Sequence, residues 1–153
     1  VTLLSSYAIS NRIIALIVPL LGFWLSDLFM NNVIYAGYYS DFTIFSSGMF
    51  WTYGAIVLVG LMGSSFIKKI SSGRVVLASL SGSTIFYLIS NFGVWILGSP
   101  GVNDIAYEKS FSGLIECYIL AIPFFGNTFL STLVFAYPAL YIYKALPAQF
   151  SSR

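Results

Sequence analysis

The residues of this chain that could carry chemistry are few, and most stand inside long apolar stretches. Glu116 is the most prominent, because a carboxylate within a membrane costs about 2.5–3.5 kcal/mol to insert and is a functional candidate by default. Alternatively, Glu116 lies at headgroup depth and pairs with Lys109, about two helical turns away. Asp27 stands near the end of its apolar stretch, where its carboxylate is expected to reach the interface. Asn91 is expected to hydrogen-bond across helices or to a bound molecule.

The remaining chemistry-bearing residue types do not form a catalytic set. The chain contains no histidine, which removes the commonest metal ligand and the commonest general base. Its one cysteine, Cys117, excludes an intrachain disulfide. No glycine-rich phosphate loop and no nucleophile paired with a base stands in the sequence. We therefore expect a non-enzymatic protein with no metal and no obligatory cofactor.

The fractions of hydrophobic and charged residues indicate whether the surface of this chain faces water or lipid. Of its 153 residues, 58% are hydrophobic and only 8% are charged, with a mean hydropathy of +0.89. Soluble domains carry about 25% charged residues, so such a chain is expected to face lipid. The net charge of +2 is too small to indicate a nucleic-acid partner. With no linker visible, residues 1–153 are expected to form one transmembrane domain.

Three apolar stretches are long enough to be membrane spans, which need roughly 20 residues. They are residues 13–30, 48–67 and 75–97, and because none alternates between apolar and polar residues, helices are predicted rather than barrel strands. Residues 1–10 are apolar but too short to span, and they are expected to be the end of a partial helix. The basic loop of residues 68–74, which contains Lys68, Lys69 and Arg74, is expected on the cytoplasmic side or its equivalent.

Residues 110–143 form an apolar region too long for one span and short for two. Pro123 and the pair Gly126-Asn127 predict a break near its middle. The region is then either a hairpin or a re-entrant segment followed by a span, with Asn127 capping the last helix. The predicted fold is an all-α membrane protein, a compact bundle of about five or six transmembrane or re-entrant helices with one broken near Pro123.

Small residues, together with Phe86, recur every three or four positions along the third stretch, which places them on one helical face with Gly82 beside them. The second stretch has a similar pair of small residues four positions apart. Such faces let membrane helices approach closely, so we predict a packing seam; a narrow polar cavity wall is the alternative. The residues concerned are Gly60, Ser64, Ser79, Gly82, Ser83, Ser90 and Gly93.

Several strings, in order along the chain, together resemble one protein family. They are Pro19-Leu20, Ser26-Asp27-Leu28, Asn91-Phe92-Gly93-Val94-Trp95, Gly113-Leu114, Cys117-Tyr118, Ala121-Ile122-Pro123-Phe124-Phe125 and Asn127-Thr128. The family is a group of small membrane proteins of unknown function, DUF6580. In size and hydropathy it is similar to the substrate-binding S components of energy-coupling-factor vitamin transporters. After Asn127-Thr128 the family pattern continues to a Gly-Asp pair, where this chain has Ser131-Thr132.

That resemblance implies a subunit that binds a small solute between its helices and works with a separate ATPase. The solute would lie near Asn91, Trp95, Glu116, Tyr118, Pro123 and Asn127. The alternative is an accessory structural subunit of a large photosynthetic or respiratory complex. In that case the helices would contact other membrane subunits and membrane lipids, with a bound lipid, pigment or quinone as a further possibility.

Overall fold

The computed structural model describes residues 11–39, 41–66, 72–99 and 105–145. These residues contain four α-helices: α1 (Arg12–Phe29), α2 (Met49–Phe66), α3 (Ser72–Leu97) and α4 (Phe111–Ala145). A π-helical turn, Met30–Ile34, continues α1, and a 3-10 turn, Ala36–Tyr38, follows it. The all-α prediction is confirmed, but the count of five or six helices is not supported by the described part of the chain. The partial helix expected over residues 1–10 lies outside the described residues.

Within the described residues, three segments are long and apolar enough to cross a membrane: Ile13–Ile34, Gly73–Leu97 and Phe111–Pro138. The fourth, Met49–Met62, is apolar but shorter. Helices of this length and composition fit an integral membrane protein. The prediction that residues 68–74 face the cytoplasm stays a prediction.

The break predicted near Pro123 is wrong, because α4 continues through both Pro123 and Pro138. A proline removes one backbone hydrogen bond from a helix, but any other backbone path through lipid would leave more groups unpaired. Asn127 accordingly lies exposed in the middle of a helix rather than capping one. The hairpin and the re-entrant segment are both replaced by one helix of 35 residues, about 52 Å long.

Consecutive helices run antiparallel, as their contacts at one end of the bundle show. Asp27 near the end of α1 meets Tyr53 near the start of α2, and Trp95 near the end of α3 meets Glu108 just before α4. Each helix packs against its neighbours in sequence. Within the described ranges, no Cα atom of α1 comes within 8 Å of α3 or α4. The described helices therefore form a row, in which α1 has close backbone contacts with α2 but not with α3 or α4.

The small residues predicted to form a packing seam lie mostly inside the structure. Ser79, Gly82, Ser83, Gly60 and Gly93 are buried, and Ser90 is half-buried; the side chain of Ser64 lies outside the described set. Gly93 lies in tight surroundings between α2 and α3. A Cβ atom there would collide with the Cβ and Cγ atoms of Trp51. The crossing of α2 and α3 is therefore as close as a glycine permits.

Helix α3 ends in a Schellman motif, which sets the direction of the backbone after the helix. The Gly98 N–H donates to the Trp95 carbonyl (3.2 Å) and the Ser99 N–H donates to the Val94 carbonyl (3.1 Å). Gly98 takes a φ of 67°, which a residue without a Cβ atom adopts at little cost. This turn places Ser99 beside the polar cavity described next.

Candidate functional site

A polar cavity of about 250 Å³ opens at the end of the bundle remote from Arg74. It lies between the end of α1 with its π-helical turn, the start of α2 and the end of α3. Its lining combines one carboxylate, one amide and several hydroxyl groups with a few apolar side chains. The lining residues are Asp27, Asn31, Ser46, Gly48, Met49, Thr52, Ser90, Gly93, Val94, Leu97 and Ser99.

Two polar groups on one face of the first span define the chemistry of this cavity. Asp27 and Asn31 are four residues apart, so their side chains lie one turn from each other. The Tyr53 hydroxyl donates to Asp27 Oδ2 at 2.7 Å, and the other carboxylate oxygen accepts no hydrogen bond from the described residues. Asn31 is only 9% exposed, and its Nδ2 atom has no hydrogen-bond partner there. The cavity thus offers a free acceptor beside a free donor.

The segment between α1 and α2 closes one side of the cavity, and Asn32 holds it in place. The Asn32 Nδ2 atom donates to the carbonyls of Leu28 and Thr43, each at 2.9 Å, and its Oδ1 atom accepts from the Thr43 N–H at 2.6 Å. One amide therefore ties the connecting segment to the end of α1. This attachment positions Ser46 and Met49 at the cavity.

A family described as being of unknown function (DUF6580) matches the chain over residues 1–152. The chain belongs to this family. Neither a curated protein nor a solved structure matches it. The family resemblance of the sequence is thereby confirmed.

Three of the residues predicted to bind solute in this DUF6580 protein lie on α3 or α4 outside the polar cavity, and the side chains of two of them, Tyr118 and Trp95, join the two helices. The Tyr118 hydroxyl donates to the Leu88 carbonyl at 2.9 Å, and Trp95 Nε1 donates to the Glu108 carbonyl at 2.9 Å. Asn91 donates from Nδ2 to the Tyr87 carbonyl of its own helix at 2.8 Å. Among the described residues, its side chain therefore makes an intrahelical bond rather than the expected bond across helices.

The other three predicted residues, Glu116, Pro123 and Asn127, are exposed on α4. The expected Glu116–Lys109 pair does not form. The Lys109 ammonium instead donates to the Trp95 carbonyl and lies 5.4 Å from the centroid of the Trp95 ring. That all six residues bind a solute stays a prediction, but none of them lines the polar cavity.

The polar residues that do meet in the cavity carried a weaker signal in the sequence. Asp27 stands out as a carboxylate in an apolar stretch, and its spacing to Asn31 places both on one helical face. Tyr53 stands in a crowded aromatic region, where a membrane-interface belt is the ordinary explanation. The pairing of Tyr53 with Asp27 depends on how α1 packs against α2, which no local pattern encodes. Within the described parts of this DUF6580 protein, no three His, Cys, Asp or Glu residues are grouped to hold a metal.

Proposed function

We propose that this protein is a non-enzymatic, solute-binding subunit of a membrane transporter, similar in outline to an S component. The observation that carries this proposal is the polar cavity with Asp27 and the buried, unpartnered amide of Asn31. A buried donor without a partner costs about 1–3 kcal/mol, and a bound solute that accepts its hydrogen bond would recover that cost. Pockets between helices with a few convergent polar groups are the usual form of such a site.

The lining defines the class of solute. Asp27 favours a cationic or hydrogen-bond-donating group, and the Asn31 Nδ2 atom favours an acceptor a few ångströms away. A volume of about 250 Å³ is below the roughly 300–1,000 Å³ of pockets that hold drug-sized ligands. The proposed solute is a small polar molecule of amino-acid or single-ring size that carries both kinds of group.

The test compares two carboxylate-to-amide substitutions of equal size. Protein purified in mild detergent is analysed by native mass spectrometry for retained small molecules, as wild type and as Asp27→Asn and Glu116→Gln. We expect wild type and Glu116→Gln to retain the same small molecule. Asp27→Asn should retain at least tenfold less of it, because a charge-assisted hydrogen bond contributes about 1.5–3 kcal/mol.

Two outcomes separate the location of the site from the function itself. Loss in Glu116→Gln with retention in Asp27→Asn would move the site from the polar cavity to the residues around Glu116 that the sequence predicts. Purification of wild-type protein with a large complex in fixed stoichiometry, and with no solute bound, would contradict the transporter proposal.

A second candidate function, an accessory subunit of a large membrane complex, is favoured by how little holds α1. Among the described helices, α1 has close backbone contacts with α2 alone, and it exposes large apolar side chains along its length, including Ile13, Val18 and Leu25. Extraction in a mild detergent followed by native electrophoresis tests this function. A stable high-mass complex would support it, and migration as a small particle would contradict it.

A further inference from the structure

A second cavity, of about 350 Å³, lies at the middle depth of the helices and is distinct from the polar cavity. All four helices line it, with Phe23 of α1 on one side and Phe135 of α4 on the other. Within the described residues no Cα atom of α1 lies within 8 Å of α4, but side chains of both helices line this cavity together with residues of α2 and α3. We call it the central cavity.

The Ser83 hydroxyl is the feature that marks the central cavity as a binding site. Ser83 is 3% exposed and lines the cavity, yet its Oγ atom has no hydrogen-bond partner among the described residues. Nearby hydroxyls show that helices in this protein ordinarily satisfy such groups. Thr84 donates to the Leu80 carbonyl at 2.8 Å, and Thr128 donates to the Phe124 carbonyl at 2.9 Å. Ser83 thus retains a buried donor in a mostly apolar cavity wall, where an unpaired polar group is costly.

The part of the cavity lining that belongs to α4 differs from Ser83, because its hydroxyl groups can accept hydrogen bonds but have no hydrogen left to donate. Thr128, Ser131 and Thr132 line the cavity, and each donates its own hydroxyl hydrogen to a carbonyl of α4. Their oxygens keep lone pairs but offer no hydrogen. The only unused hydroxyl hydrogen among the described residues that line the cavity is therefore that of Ser83, so an occupant must present an acceptor to it.

The rest of the lining excludes charge and favours a ring. None of the described residues that line the cavity is ionisable, and its depth makes entry of an ion costly. Phe23, Phe86 and Phe135 provide aromatic surfaces against which a flat ring packs well. We propose that the central cavity binds the ring of a neutral, lipid-soluble molecule whose carbonyl oxygen accepts a hydrogen bond from Ser83, the chemistry that a quinone presents.

The test uses two probes of nearly the same shape, menadione and 2-methylnaphthalene, which differ in the two carbonyl groups. Their affinities for the protein in lipid nanodiscs are measured by equilibrium binding, with empty nanodiscs subtracted to remove partitioning into lipid. Wild type should bind menadione about three- to tenfold more tightly than 2-methylnaphthalene, which is the net contribution of one hydrogen bond. In Ser83→Ala the two affinities should become equal, with that for 2-methylnaphthalene unchanged.

Thr84→Val is the matched control, because it removes a hydroxyl from the next residue, one bonded within its own helix and outside the cavity lining. It should keep the wild-type preference for menadione. Equal binding of both probes by wild type, equal loss in Thr84→Val, or no binding of either probe would overturn the proposal. Asp27→Asn should leave menadione binding unchanged, so failure here and failure of the solute proposal are distinguishable.

Discussion

The two ends of the helix row differ in how completely their polar groups are paired. Between α3 and α4, hydrogen bonds cross the interface at several depths, from Trp95 to Glu108, from Cys117 Sγ to the Asn91 carbonyl (3.4 Å) and from Tyr118 to Leu88. The Tyr87 ring also packs against the Tyr118 and Phe125 rings, with centroids 5.6 Å and 5.3 Å away. This pair of helices is the stable part of the molecule.

The α1 side is different. Among the described residues, a single side-chain hydrogen bond, from Tyr53 to Asp27, joins α1 to α2. Two of the three buried side-chain atoms without a partner, Trp24 Nε1 and Asn31 Nδ2, belong to the first span, as counted over the described residues. Both cavities also border this span. The comparison teaches that polar groups are paired where α3 and α4 meet, whereas both cavities lie where the pairing of polar groups is incomplete.

The largest expected effect on stability comes from adding a methyl group at the close contact between α2 and α3, which lies between the two regions. Gly93→Ala places a methyl group on Trp51 atoms that lie next to the backbone and cannot swing away. We expect a loss of about 1–3 kcal/mol in the free energy of unfolding, because overpacking forces the helices apart. Circular dichroism during thermal unfolding in detergent measures it.

Gly126→Ala is the control for that substitution. Gly126 is also helical, but a Cβ atom there meets nothing within 4 Å. It should be neutral or slightly stabilising, since alanine is the better helix former. Equal destabilisation by both variants would show that the crossing at Gly93 is not tight.

A smaller effect is expected within the paired interface. Tyr118→Phe removes the hydrogen bond to the Leu88 carbonyl and leaves the ring in place. Hydrogen bonds between membrane helices contribute about 0.6 kcal/mol on average, so we expect a loss of that order in global stability. Chemical unfolding in mixed micelles measures the change, and no change would contradict a stabilising role for this interface.

The smallest global effect is expected on the α1 side. Tyr53→Phe removes the hydrogen bond to Asp27, and because α1 has close backbone contacts with α2 alone among the described helices, the helix should open locally without unfolding the rest. Hydrogen exchange should speed up for the amides of α1 and stay unchanged for α3 and α4. A global loss as large as that of Tyr118→Phe would contradict the separation of the two regions.

The sequence predicted the local features of this fold but not the pairing of its helices. Lipid imposes helices on long apolar stretches, so α1, α2 and α3 follow from hydropathy to within a few residues. Pro123 misled the prediction, because a proline signal calibrated on water-exposed chains overstates its effect in apolar surroundings. Glu116 was chosen for its cost in lipid, yet the structure leaves it exposed and places Asp27 and Asn31 at a cavity. Which polar residue meets a partner depends on how each helix is rotated about its axis, and the rotation cannot be derived from the type of a single residue.

The uninterrupted α4 has a consequence for the bilayer around the protein. Its apolar segment, Phe111–Pro138, has 28 residues and is about 42 Å long, whereas a hydrocarbon core is about 30 Å thick. Helix α2, with 18 residues, is only about 27 Å long. Because the apolar segment of α4 is longer than α2, either α4 tilts in the bilayer or the lipid beside it is thicker. We therefore expect the tilt of α4 to depend on the thickness of the membrane, and the width of the central cavity, which α1 and α4 both line, to depend on that tilt.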